Sequence, residues 1–201
     1  MVIFFGGVSL AFSDFETEQI YKALLAETRR CAVTLGMRKT SVDQLTQAVG
    51  ISKGSFYRFF TSKELLFFAL LEDIHTELYD VAAGELRDNI GLPPAERAAK
   101  AILAVCKRMS DTGVMTFIEN DVKSLLQRLP DNIKSEHYHD DEAHIRALLE
   151  ANALTPKGGT ELATATVRGL ILTISHKEQI GELYPQVLDM LVHGACTELF
   201  S

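Results

Sequence analysis

The sequence predicts an all-α fold of about nine helices, with a small N-terminal unit joined to a larger helical one. Three observations carry this. Apolar residues recur at helical spacing along the chain, with no alternating run and no Asn-Gly hairpin signal. Capping residues and glycine or proline stops bracket the periodic segments. The charge is also divided. Phe15 to Glu64 holds eight basic and five acidic residues, net +3, whereas the remainder is net −10. A basic module on an acidic body points to a localised polyanion-binding face and excludes a chain that coats nucleic acid all over.

Composition narrows the classes further. Hydrophobic residues make up 47% of the 201, which is enough to bury a core and excludes disorder over most of the chain. No run of 18 apolar residues is present, so a transmembrane helix is excluded. Cys31, Cys106 and Cys196 are odd in number and far apart, which suggests a reducing, cytoplasmic setting and no disulfide framework. Residues 1–14 read as an apolar N-terminal extension, because the basic n-region of a secretory signal is missing.

The elements follow in order. A first helix runs from about Phe15 to Leu35, opened by a Ser13/Glu16 capping box and closed by Gly36. Ser41 and Gln44 have capping-box spacing, so a short helix starts at Val42 and stops at Gly50. Ser52 caps a third, from Lys53 to Phe59 or Phe60. Thr61 and Glu64 are expected to open a fourth, from about Ser62 to Arg87, with Leu65, Phe68, Leu71, Ile74 and Leu78 facing inward. Pro94 suits the first turn of a fifth, ending near Met109. Four more helices are expected over Val114–Arg128, Ile133–Glu150, Gly159–Lys177 and Tyr184–Phe200.

One segment has a specific mechanism. Ser41–Phe60 is laid out as a helix-turn-helix, two short helices meeting at a tight turn that contains Gly50. In that geometry the second helix lies in the DNA major groove with its N-terminal residues near base edges. Ser52, Lys53, Gly54 and Ser55 are small or polar there. Gly54 costs helix stability roughly 1 kcal/mol relative to Ala, a cost that makes sense where backbone must approach DNA closely. Tyr57 and Arg58 suit phosphate oxygens. Phe56, Phe59 and Phe60 are expected to hold the short helix to its neighbours.

The run Thr40-Ser41-Val42, then Gly50-Ile51-Ser52-Lys53-Gly54-Ser55-Phe56-Tyr57-Arg58-Phe59-Phe60, then Ser62-Lys63-Glu64-Leu65-Leu66 resembles the TetR family of bacterial transcriptional regulators. The resemblance implies a three-helix helix-turn-helix DNA-binding domain over 15–61 and a helical ligand-binding and dimerisation domain over 62–201. It makes Thr40, Lys53, Tyr57 and Lys63 phosphate contacts, sets Ser52, Lys53, Gly54 and Ser55 toward bases, and adds Ser41 and Arg58 to the DNA-binding set. Family members often have Ala where Thr46 stands and an aromatic where Ala32 stands, a space that the N-terminal extension would fill. Arg58 stands where histidine is frequent, which strengthens backbone binding.

In the body, Phe67, Phe68, Met109, Met115, Phe117 and Tyr138 are candidate walls of a ligand pocket, with plain core packing as the alternative. The resemblance implies an apolar or amphipathic small effector. His137, Asp141 and His144, at i, i+4 and i+7, are a weak candidate metal face against the alternative of a solvated helix. No cofactor is expected. Leu162, Ala165, Gly169 and Leu172, with Leu188, Leu191, Val192, Ala195 and Leu199, form two stripes expected to build a homodimer interface.

The leading expectation is therefore a cytoplasmic, ligand-responsive regulator. It would be most often a repressor, bind a palindromic double-stranded DNA operator as a homodimer, and be released by a small effector. An activator of the same fold and a helical protein-interaction or redox-sensing module are the alternatives. An enzyme is disfavoured, since no G-x-S-x-G, P-loop, HExxH or Rossmann fingerprint is present.

Overall fold

A computed structural model of the chain describes residues 13–200, with 135–142 described by backbone alone. Expectations about the N-terminal extension lie outside the described residues. Nine helices and no strand are found among those described. They are α1 (Asp14–Thr34), α2 (Val42–Val49), α3 (Lys53–Phe59), α4 (Lys63–Asp88), α5 (Pro94–Thr112), α6 (115–128), α7 (Asp131–Ala151), α8 (Gly159–Leu172) and α9 (Tyr184–Phe200). The middle of α6, Ile118–Val122, is a π turn, and α8 continues in single turns to Leu183.

Local chemistry sets the boundaries. The Ser13/Glu16 and Ser41/Gln44 capping boxes both form. The expected Thr61/Glu64 box does not form. Ser62 is the N-cap of α4, its hydroxyl accepting from Leu65 N–H at 3.2 Å, so the helix starts one residue later. Gly50 sits in the left-handed region at φ 77°, as the reversal between α2 and α3 requires.

Two buried clusters organise the molecule. Leu24, Cys31, Leu45, Phe56, Phe60 and Leu66 pack α1, α2 and α3 onto the first turn of α4. A larger cluster joins α4, α5, α6, α8 and α9, with the Phe67 and Phe117 rings 5.9 Å apart at its centre. Because α1, α5, α6 and α7 all pack on α4, its buried surface is wider than one stripe. Leu66, Phe67 and Leu70 are fully buried there, whereas the expected Leu65 and Phe68 are only partly so. Arg29 of α1 also reaches Asp73 at 3.0 Å and Glu77 at 2.7 Å on α4. Half-exposed pairs contribute at most about 1 kcal/mol, while each buried Leu or Phe contributes roughly 1.5–3 kcal/mol, so packing holds α1 in place.

The connection between α1 and α2 is held differently. Gly36, at φ 79°, ends α1, and a Cβ there would stand 3.2 Å from an Asp121 oxygen. The Met37 N–H donates to Oδ2 of buried Asp121, in the π turn of α6, at 2.8 Å. The Lys63 ammonium donates to the Met37 and Thr40 carbonyls at 2.8 and 2.7 Å. Asp121→Ala strands a buried amide and is expected to destabilise the fold by about 1–3 kcal/mol in urea unfolding, with Asp121→Asn, which keeps an acceptor, losing clearly less.

Candidate nucleic-acid interface

The second helix of the turn, α3, buries Phe56 and presents the opposite side to solvent. Ser52 is its N-cap, with Oγ accepting from Ser55 N–H at 3.0 Å. Ser52, Lys53, Gly54, Tyr57 and Arg58 are exposed, Ser55 half-buried, and Ser41 exposed at the start of α2. Tyr57 meets Phe56 edge to face at 5.3 Å between centroids, which steadies its exposed ring. Helix α3 therefore carries a small, polar, basic outer face on a rigid apolar base.

Three of the expected phosphate or base contacts already have partners within the chain. Lys53 reaches solvent but is paired with Asp43 of α2 at 3.0 Å, and that carboxylate holds its ammonium above the ordinary lysine pKa. Thr40 is buried and its hydroxyl donates to Gly36 O at 2.8 Å, so it offers no spare hydroxyl at the surface. Lys63 is half-buried and spends two donors on backbone carbonyls. Thr40 and Lys63 thus build the loop that carries the face. Sequence reasoning passed over Arg38 and Lys39, which are exposed on that loop. Their adjacency to Thr40 was the available signal.

Gly54 has room for a side chain. A Cβ there would meet nothing nearer than Ser52 Oγ at 3.7 Å, an ordinary contact, and its φ is not left-handed. Nothing among the described residues asks for glycine at this position.

The body contains a cavity of about 450 Å³ bounded by α4 to α9. Met109 and Met115 line it as expected. Phe67 and Phe117 do not: both are fully buried in the central cluster, and Phe68 packs against that cluster. Aromatic rings at the crossing of α4 and α6 fill the core, leaving the cavity on the α7 and α8 side of α4. The Tyr138, His137 and Asp141 side chains lie outside the described residues, and among those described no cluster of metal-binding side chains occurs. Ile118, in the π turn, lines the cavity three residues before Asp121.

The C-terminal stripes divide. Leu188, Val192 and Leu199 face inward and close the body's own core. Leu162, Ala165, Gly169, Leu172 and Leu191 are exposed, and Met190 joins them at 74% exposure. All three cysteines are buried. Burial pushes the Cys106 and Cys196 thiols up to about 11 and, with Glu27 nearby, raises Cys31 as well, so each is held in its unreactive protonated form. No described helix is long and apolar enough to cross a membrane.

Comparison with known proteins matches this geometry. A family model described as "Bacterial regulatory proteins, tetR family" matches residues 24–70, the segment from α1 into α4. An HTH-type transcriptional repressor of Mycobacterium tuberculosis is 34% identical over 77 residues, 36% of this chain and 41% of that protein. The nucleoid occlusion factor SlmA of Glaesserella parasuis is 39% identical over 69 residues, 34% of this chain and 32% of that protein. The alignments thus cover less than half of either curated relative. At the level of fold the likeness is broader. A TetR family transcription regulator from Marinobacter aquaeolei has a TM-score of 0.66 at 16% identity, over 93% of this chain and 98% of that one. A transcriptional regulator from Aquifex aeolicus has 0.58 at 20% identity, over 89% and 98%. The N-terminal segment thus matches the tetR family of bacterial regulatory proteins over residues 24–70, and the nine-helix fold as a whole is that of solved regulators of this kind.

Proposed function

We propose that the chain is a DNA-binding transcriptional regulator that reads a palindromic operator as a homodimer and is released when a small effector enters the cavity. The observation that carries the DNA reading is the outer face of α3: Ser52, Lys53, Gly54, Tyr57 and Arg58 stand exposed on a rigid base, with an unneeded glycine among them. Repression is the sign we favour, since the Mycobacterium relative matched over this segment is named a repressor. In this reading residues 15–61 form the reading head, residues 62–201 the responsive body, and the Arg38–Lys39 loop supplies added phosphate contacts.

The link between cavity and DNA is the π turn of α6. Ile118 forms cavity wall and Asp121 grips the Met37 amide, three residues apart in one turn. A ligand that presses on Ile118 shifts Asp121, and with it the loop that sets the angle of α2 and α3. The exposed apolar residues on α8 and α9, with Gly169 and Gly194 allowing close approach, support a two-fold interface between copies.

Two results test this. Gly54→Ala should raise the stability of the protein by about 0.5–1 kcal/mol in thermal or urea unfolding, while weakening binding to duplex DNA at least roughly tenfold in fluorescence anisotropy. A stabilised variant that binds DNA as wild type does would remove α3 from the interface. A Leu172→Glu, Met190→Glu double variant should run as a folded monomer in light scattering and lose operator binding, whereas the wild type gives a dimer mass.

A further inference from the structure

We propose that the cavity binds an amphipathic anion, a hydrocarbon body ending in a carboxylate, with the head group held by Thr164 and Arg168 of α8. This rests on the reading of the cavity as an effector site and names the chemistry of what enters it. The walls are almost entirely hydrocarbon: Ala101, Ile102, Val105, Met109, Ile118 and Leu149 contribute from three helices. At about 450 Å³ the space is of the size that holds a small organic ligand rather than a few waters.

The polar groups are few and are placed together. Thr164 lines the cavity at 9% exposure, and its Oγ1 is buried with no hydrogen-bond partner among the described residues. Its neighbour Thr166 satisfies its hydroxyl on the Leu162 carbonyl at 2.8 Å, so the helix offers such a partner to one hydroxyl while the other is left unmatched. A buried unsatisfied hydroxyl is unfavourable, and a ligand acceptor would remove that cost. Arg168 follows one turn later on the same face, lines the cavity, and is exposed, so it stands where the cavity meets solvent. It makes none of the described ion pairs.

No aspartate or glutamate is among the cavity's lining residues. A cationic ligand would therefore meet an arginine and no counter-charge, and a neutral hydrocarbon would leave both Thr164 and Arg168 unused. A carboxylate uses both: one oxygen accepts from the Thr164 hydroxyl and the other from the guanidinium. His75 and Tyr79 of α4 also border the cavity, and Tyr79 stacks on His144 at 5.3 Å, which walls the site with polarisable rings.

The test is isothermal titration calorimetry on the full chain with dodecanoate, 1-dodecanol and dodecyltrimethylammonium, each below its micelle concentration and with no DNA present. Dodecanoate should bind at least about tenfold more tightly than the alcohol, and the ammonium compound should bind least. In Arg168→Gln and in Thr164→Val, a swap that keeps shape and removes only the hydroxyl, the preference for dodecanoate should fall while binding of the alcohol stays as in wild type. Equal or tighter binding of the alcohol, an unchanged preference in Arg168→Gln, or absence of binding by the well-folded wild type would each overturn the proposal. Adding dodecanoate to a protein–DNA complex is a separate measurement. Binding without release of DNA would leave the ligand class standing and contradict the regulator reading.

Discussion

The peptide unit of Met37 is gripped from both sides, and the entry to the helix-turn-helix depends on it. Its N–H donates to Asp121 in the body, and its carbonyl accepts from Lys63 at the start of α4. Both partners are charged, and Asp121 and Met37 are buried, so these bonds are stronger than ordinary surface pairs. Gly36 makes the grip possible, because its left-handed backbone turns the chain toward Asp121 and it has no Cβ to crowd the carboxylate. The Thr40 hydroxyl closes the same loop on the Gly36 carbonyl. Helices α2 and α3 follow this loop and pack on α1 and α4 through Leu45, Phe56 and Phe60.

That constraint gives the π turn its importance. A π turn holds one residue more than a regular helical turn and is a place where a helix can change register at modest cost. In α6 it faces three ways: Ile118 to the cavity, Asp121 to the loop, and Glu119 to Ser175 beyond α8. Cavity, α1–α2 loop and C-terminal segment therefore meet within five residues. The bulk of α6 is fixed, since Phe117 and Leu125 on either side of the turn are fully buried.

The helix-turn-helix was legible in the sequence because its determinants are local. Ser41, Gly50 and Ser52 act within four residues of their own positions, and the caps and turn form where the spacing placed them. What depends on distant partners was not legible. Lys63 looked like a phosphate ligand, yet its bonds go to carbonyls 23 and 26 residues away. Asp121 carried no signal at all, because the residue it holds is 84 positions earlier. The cavity is assembled from six helices, so Met109 and Met115 could be named from their chemistry while Phe67 and Phe117, equally suitable by type, fell into the core. The C-terminal stripes divide between buried and exposed residues for a related reason. An apolar stripe marks a buried face without saying what buries it, and on α9 Leu188, Val192 and Leu199 are covered by α5 and the rest of the body.

Selection of genomic fragments by the purified protein, with the retained DNA sequenced across a salt series, tests the central claim most directly. A chain that reads DNA through two copies of α3 will enrich a palindromic motif whose half-sites lie about one helical turn or a multiple of it apart, and retention will fall steeply as salt rises. Uniform recovery of all sequences at every salt concentration, or no recovery at any, would contradict it.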